Sequence, residues 1–338
     1  MPEQGALVVG EALVDVVVHP EGGRSEHPGG SPANVALGLA RLHRPVGLLT
    51  WLGADQLGGR VRAHLSTDGV RILDGDRVAT HTATALARLD AAGVAEYVFD
   101  LEWDLPNRWS GDDQAPLVMH SGSIAATLQP GADSVAALAR RLRSTSTITY
   151  DPNVRPQIMG SPGLVRGPIE RFVALADVVK VSDEDLAWLY PTESVADVAA
   201  RWAVAGPAIV VVTQGGDGAR ALTSLGIDLQ VPAVAVDVVD TVGAGDSFMA
   251  GLIDGLWSAH LLGAEQREVL RAVDGPTLEQ VLRRCVQIGA ITVSRAGANP
   301  PFLEELPDSQ GAGLGSRATP DRIAGAGPVP AGDPGARP

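Results

Sequence analysis

Lysine is nearly absent from this chain: among its 338 residues only Lys180 is one. That excludes a Walker A phosphate loop, which needs Gly-Lys ahead of Ser or Thr, because Lys180 follows Val179 and precedes Val181. Cysteine is as scarce. With Cys285 alone no internal disulfide forms, which suits a reducing compartment. Aromatic residues make up 4% of the chain against 45% hydrophobic residues overall, so a core must be built from Val, Leu, Ile and Ala. Positive charge is in deficit. A formal net charge of -14 argues against nucleic acid, whose phosphates reward clustered Lys and Arg, and against an anionic membrane surface. The apolar stretch 6–18 is interrupted by Glu11 and Asp15, so it is too short and too charged to span a bilayer. The N-terminus lacks the basic start of a signal peptide, and a cytoplasmic protein is expected. No G-x-G-x-x-G follows a strand, and no H-E-x-x-H occurs among the seven scattered histidines, so neither a dinucleotide fold nor a dedicated metal centre has support.

What is present is alternation. Apolar runs at 7–18, 45–52, 117–120, 147–150, 178–181, 208–213 and 231–239 read as strands. Between them, 55–66, 134–143, 195–204 and 247–257 carry helical spacing. This rhythm predicts βαβ units and a parallel sheet covered by helices on both faces. Segments 84–89 and 95–99 flank Ala91-Ala92-Gly93 as a hairpin outside that rhythm, and read as part of a smaller lid. From 308 to 338, 12 of 31 residues are Gly or Pro, so this tail is expected to be disordered and without a role in catalysis.

Three glycine turns carry candidate chemistry. In Asp240-Thr241-Val242-Gly243-Ala244-Gly245-Asp246 the glycines lie between a strand and a helix, where main-chain N–H groups converge and the helix dipole adds positive charge. Such a turn suits a phosphate. A carboxylate beside it, Asp246, repels a bound anion but could take a proton from a hydroxyl attacking phosphorus. Asp246 as a plain helix cap is the competing reading. Thr213-Gln214-Gly215-Gly216-Asp217-Gly218 ends a strand, where ligands bind in open α/β sheets, or else is a simple hairpin turn. In Gly29-Gly30-Ser31-Pro32-Ala33-Asn34, Ser31 can cap a helix with Pro32 at its first position, while the glycine pair and Asn34 suit a polyol. Asp15 interrupts a strand, and its two acceptor oxygens suit vicinal hydroxyls.

Residues 29–34 with the following Val35-Ala36-Leu37-Gly38-Leu39-Ala40-Arg41-Leu42 resemble the N-terminal signature of the ribokinase-like (PfkB) carbohydrate kinases. Residues 240–246 with Ser247-Phe248 resemble their C-terminal signature, and the likeness runs from about 7 to 307 with the motifs in family order. The resemblance implies a Rossmann-like, mostly parallel sheet flanked by helices, with a small β-sheet lid inserted at about 14–28 and 84–104 of a kinase domain spanning 1–307. It implies ATP as phosphoryl donor and Mg²⁺ brought by the nucleotide. Asp246 would be the general base, with Gly243, Ala244 and Gly245 as the anion cradle. Asp15, Gly30 and Asn34 would bind the sugar, with Tyr97, Phe99 and Arg155 also on its side. Thr213, Gly215 and Gly218 would face the ATP phosphates. A homodimer through the lid is a further expectation.

Gly10-Glu11-Ala12-Leu13-Val14-Asp15, His120-Ser121-Gly122-Ser123 and Asp151-Pro152-Asn153-Val154-Arg155-Pro156 look like the fructokinase branch. Related 2-keto-3-deoxygluconate kinases carry a lid arginine after Tyr-x-Tyr. Here Tyr97-Val98-Phe99 is followed by Asp100 and Leu101, which favours a neutral hexose such as fructose, although Arg155 could pair a carboxylate. Ribokinase, nucleoside kinase and a non-catalytic sugar binder are the remaining alternatives. Two departures from the family pattern stand out. Ser182-Asp183-Glu184-Asp185 has Asp where Glu is usual in a motif tied to Mg²⁺ and phosphate, so either Asp185 or Glu184 takes that part; Lys180 either approaches the nucleotide or lies on the surface. In Gly297-Ala298-Asn299-Pro300-Pro301 the last proline has no side-chain oxygen, which argues against dependence on K⁺.

Overall fold

The computed structural model describes residues 4–18, 23–73, 78–89, 95–105 and 115–307. Nine strands make the main sheet, in the spatial order β13 (Asp228–Val231), β12 (Ala219–Thr223), β11 (Ile209–Thr213), β10 (Val178–Ser182), β9 (Thr147–Asp151), β8 (Val118–Gly122), β1 (Ala6–Val9), β4 (Val46–Leu49) and β5 (Arg71–Leu73). All neighbours are parallel except the β11–β12 and β12–β13 pairs. β1, β4, β8 and β9 are buried at every position, the mark of a parallel sheet covered on both faces.

The covering helices are α1 (Ser31–Arg41), α2 (Gln56–Thr67), α3 (Gly131–Leu142), α4 (Pro156–Met159), α5 (Pro162–Val173), α6 (Asp183–Leu189), α7 (Val195–Ala205), α8 (Ala244–Ser258), α9 (Arg267–Arg271) and α10 (Gly275–Val293). They divide the core in two. Val8, Val178 and Val211 pack with α1, α2, α8 and α10 on one face of the sheet. Leu7, Met119, Ile148 and Val210 pack with α3, α5, α6 and α7 on the other. A second sheet has the order β3 (Arg24–Gly29), β2 (Leu13–Val18), β6 (Thr84–Leu89) and β7 (Ala95–Asp100), with β2 and β6 parallel. Val14 and Val16 of β2 join the main core, which leaves Asp15 on the opposite face.

The run 7–18, open between one strand and two, is two strands in two different sheets, and Glu11 sits at the break. Several expectations need correction. The run 231–239 is not a strand: β13 ends at Val231, and Val234, Val236, Val238 and Val239 are exposed. Pro232 has no N–H to extend the ladder, and β13 is the sheet edge, so among the described residues no strand pairs with the valines beyond it. Helix α8 begins at Ala244 rather than 247. Helices α5 and α10 were not anticipated. In α5 an internal Pro168 breaks the pattern. In α10 the spacing of Leu278, Val281, Leu282 and Cys285, with Asp274 accepting from the Thr277 N–H as a cap, was a readable signal. The hairpin turn at 91–93 and the tail from 308 to 338 lie outside the described residues. Among the described residues no helix is long and apolar enough to cross a membrane.

Candidate active site

The carboxyl ends of the parallel strands β1, β8, β9, β10 and β11 lie along one end of the sheet, where an open α/β sheet binds its ligands. Asp246 lies there, third in α8 and 7% exposed. Helix α1 orients both of its oxygens: Ser31 Oγ donates to Oδ1 at 2.6 Å, and Asn34 Nδ2 donates to Oδ2 at 2.8 Å. This overturns the expected cap. Helix α1 has Gly30, not Ser31, at its cap position, so no side chain caps it, and the Ser31 hydroxyl is spent on Asp246. Ser31 is therefore a site residue that sequence reading missed. Gly30 has φ +104, and a Cβ there would stand 2.6 Å from the Glu11 carbonyl oxygen, so the loop after β1 excludes any side chain.

The turn before α8 is clamped from behind. Gly243 is left-handed at φ +76, and a Cβ on it would meet the Ala298 Cβ at 2.6 Å. Asp240 accepts from the Val242 N–H at 3.0 Å and the Gly297 N–H at 2.8 Å, and these two bonds hold its carboxyl below the usual carboxylate range. The N–H groups that open a helix have no acceptor inside it. That of Ala244 turns back to the Thr241 carbonyl at 3.2 Å, so the cradle expected of Gly243, Ala244 and Gly245 has one of its three donors already engaged.

Lys180 is not on the surface. It is 3% exposed, and its Nζ donates to Asp151 Oδ2 at 2.7 Å. Asp151 was not anticipated as a site residue; burial lifts its carboxyl to about 6 while Lys180 pulls it down. Ser182 caps α6, its Oγ accepting from the Asp185 N–H at 3.0 Å. The Asp185 carboxylate accepts from the Val154 N–H at 3.2 Å and is raised by burial, whereas Glu184 is exposed. Thr213 ends β11, and the turn through Gly215 and Gly218 joins β11 to β12 as an antiparallel hairpin. Gly215 stands in open space. A Cβ on Gly218 would lie 2.1 Å from the Val231 carbonyl oxygen, so packing against β13 requires that glycine.

On the second sheet, Asp15 pairs with Ala85 and Ala85 with Phe99, so Asp15 and Phe99 lie in one row on one face. Tyr97 stacks on Phe99, with ring centroids 5.9 Å apart. Burial raises the Asp15 carboxyl, while His27 and Arg155 draw it down. Arg155 is exposed, donates to the Val154 carbonyl at 3.0 Å, and lowers Glu11, Asp15 and Asp185 together. Among the described residues no hydrogen bond joins Asp15, Tyr97, Phe99 or Arg155 to the Asp246 cluster. Glu11 is a second residue that was missed. It is 5% exposed, accepts from the Ala125 N–H at 3.2 Å, and is raised by burial to about 7. Its position as a charge breaking an apolar run was the signal.

The site therefore combines a mostly parallel α/β sheet, a small second sheet and a buried carboxylate in the first turn of a helix. Residues 4–306 match the model of the pfkB family carbohydrate kinases, and this chain belongs to that family. It is 35% identical over 263 residues to the fructokinase of Klebsiella pneumoniae, covering 75% of this chain and 84% of that one. It is 29% identical over 310 residues to the aminoimidazole riboside kinase of Salmonella typhimurium, covering 88% and 92%. Among solved structures it resembles the fructokinase of Xylella fastidiosa with bound ATP, at 25% identity and a TM-score of 0.77, covering 89% of this chain and 96% of that one. The chain is thus a carbohydrate kinase by family, and its main sheet and small second sheet are the fold of these neighbours.

Proposed function

We propose that this chain is an ATP-dependent fructokinase, transferring the γ-phosphoryl group of ATP to the 6-hydroxyl of D-fructose to give fructose 6-phosphate and ADP. The observation that carries the reading is Asp246, a buried carboxylate held by Ser31 and Asn34 at the first turn of α8. It takes the proton of the attacking hydroxyl, and the main chain of residues 243–245 meets the charge that grows on the transferring phosphoryl group. Asp15, Gly30, Asn34, Tyr97, Phe99 and Arg155 make the sugar side. Lys180, Ser182, Asp185, Thr213, Gly215 and Gly218 make the nucleotide side, and the open space at Gly215 suits a phosphate chain. Mg²⁺ brought by the nucleotide would neutralise part of its charge, and Asp185, partly buried where Glu184 is exposed, is the carboxylate that would serve it. Among the described residues β7 is an edge strand, through which two copies can join.

A neutral sugar is favoured by charge. The carboxyls of Glu11, Asp15 and Asp185 all lie close enough to Arg155 to be lowered by it, so that cation is already engaged and is a poor partner for the carboxylate of 2-keto-3-deoxygluconate. The test is ADP release with fructose, ribose, 2-keto-3-deoxygluconate, adenosine and aminoimidazole riboside. Fructose is expected to give the highest kcat/KM, and a higher value for any other acceptor overturns the assignment. Asp246→Asn is expected to lower kcat by about 10²- to 10⁴-fold while fructose binding persists. Wild-type turnover in that variant would remove Asp246 as the base.

A further inference from the structure

The single lysine of the chain is buried under the phosphate turn. On β10, Lys180 is opposite Asp151 of β9; on β8, His120 is opposite Thr149 of β9. Thr149 and Asp151 are two residues apart and so share a face. That face is the one covered by α8, because Val8, Val178 and Val211 on it pack against α8. A polar stripe of His120, Thr149, Asp151 and Lys180 therefore runs beneath the helix that carries Asp246. The contact is close: a Cβ added to Gly245 would stand 2.7 Å from Lys180 Nζ, and the next nearest atom is Lys180 Cε. The ammonium faces the turn, and Asp151 lies behind it at 2.7 Å.

The other polar groups of the stripe carry no competing positive charge. Burial, then the Lys180 ammonium, pushes His120 down to about 3, so its ring is neutral. Its Nδ1 lies 3.1 Å from Thr149 Oγ1. A buried ion pair is poor value as a stabilising device, since apolar side chains of similar size commonly do as well. A fixed ammonium under a phosphate turn has a use that apolar residues cannot supply. The chain has no Walker lysine to meet the phosphates from the solvent side.

Resting on the kinase reading above, we propose that Lys180, aimed by Asp151, is the preorganised positive charge behind the 243–245 turn that stabilises the phosphoryl group in flight. No bond to the nucleotide need form in the ground state. The ammonium acts through and beside the Gly245 main chain, and its field is strong because Lys180 is itself buried. Asp151 is a positioning residue: it holds Nζ forward and balances its charge when no substrate is bound. The pair also explains residue choice at 245, since any side chain there would displace the ammonium.

The test compares wild type with the double variant Lys180→Met/Asp151→Asn, which removes both charges together and strands neither, and with Asp151→Asn alone. Readouts are kcat, KM for ATP and for the sugar, affinity for ADP plus aluminium fluoride in the presence of sugar, and thermal melting. The double variant is expected to lose on the order of 100-fold in kcat, with both KM values within about threefold, and to lose affinity for the aluminium fluoride complex by a similar factor. Asp151→Asn alone, keeping the ammonium but loosening it, is expected to fall between the two. A kcat within threefold of wild type overturns the proposal. So does a loss confined to KM for ATP, which would make Lys180 a simple nucleotide holder. So does a lower folded yield with wild-type kcat per folded molecule, which would make the pair structural. Failure of the wild-type protein to phosphorylate any sugar would instead overturn the kinase reading itself.

Discussion

At the scale of single residues, Asp246 is held rather than free. Two donors from one helix, Ser31 and Asn34, each take one carboxylate oxygen. A base that must meet a hydroxyl in one geometry gains from such bracing, because an orienting bond to a charged group is worth about 1.5–3 kcal/mol. Ser31→Ala is therefore expected to lower kcat by about tenfold or more, with sugar KM little changed. Steady-state kinetics check it, and an unchanged kcat would make the Ser31 bond incidental. Gly30 is constrained differently. Its φ of +104 and the Glu11 carbonyl 2.6 Å from any added Cβ predict that Gly30→Ala is destabilised by about 1–3 kcal/mol, read by urea unfolding. Both residues stood in a motif legible in the sequence, but their roles were not. Ser31 before a proline reads as a cap, and only the fold, which brings residue 31 to residue 246, shows the hydroxyl spent elsewhere.

At the scale of elements, the phosphate turn is a joint between three segments. Val239 and Asp240 donate to the Val293 carbonyl at the end of α10, Asp240 accepts from Gly297, and Gly243 packs on Ala298. Asp240→Asn places an amide NH₂ where one carboxylate oxygen now accepts a main-chain N–H. An unsatisfied N–H is expected to cost about 1–3 kcal/mol and to loosen the start of α8, lowering melting temperature and kcat together. A drop in melting temperature with full kcat would separate the joint from the chemistry. The strand rhythm was legible because the parallel strands are buried on both faces and rich in Val, Leu and Ile, even where β8, β9 and β10 turn polar side chains toward α8. The valines of 231–239 failed as a strand because periodicity cannot report that Pro232 ends the ladder at a sheet edge. The lid strands at 84–89 and 95–100 were legible, and the family resemblance put 14–18 in the lid, but the place where 7–18 breaks between the two sheets needed the third dimension. The Lys180–Asp151 pair was equally hidden: 29 residues separate its members, and register alone sets them side by side.

At the scale of the whole molecule, acid groups are unevenly distributed. The chain carries a net charge of -14, and four of its carboxylates, Glu11, Asp15, Asp151 and Asp185, gather at the site with burial raising each. Asp240 in the phosphate turn, and Asp55, Asp228 and Glu305 away from it, are lowered by hydrogen bonds or ion pairs. The two sets act in opposite directions. A lowered carboxyl contributes stability above its unfolded value and loses it as pH falls through its folded value. A raised carboxyl binds more protons folded than unfolded, so its contribution is full below the unfolded value and is lost as pH rises through the folded one. Glu11, lifted from 4.5 to about 7, is the clearest case, and its ionisation removes about 3 kcal/mol as an upper bound over that window. Melting temperature is therefore expected to peak at mildly acid pH and to decline toward pH 8. Glu11→Gln, neutral at every pH and still able to accept from Ala125, should flatten that decline and melt above wild type at pH 8. Thermal melts at pH 5, 6.5 and 8 check both, and parallel curves for the two proteins would show that Glu11 is not the group responsible.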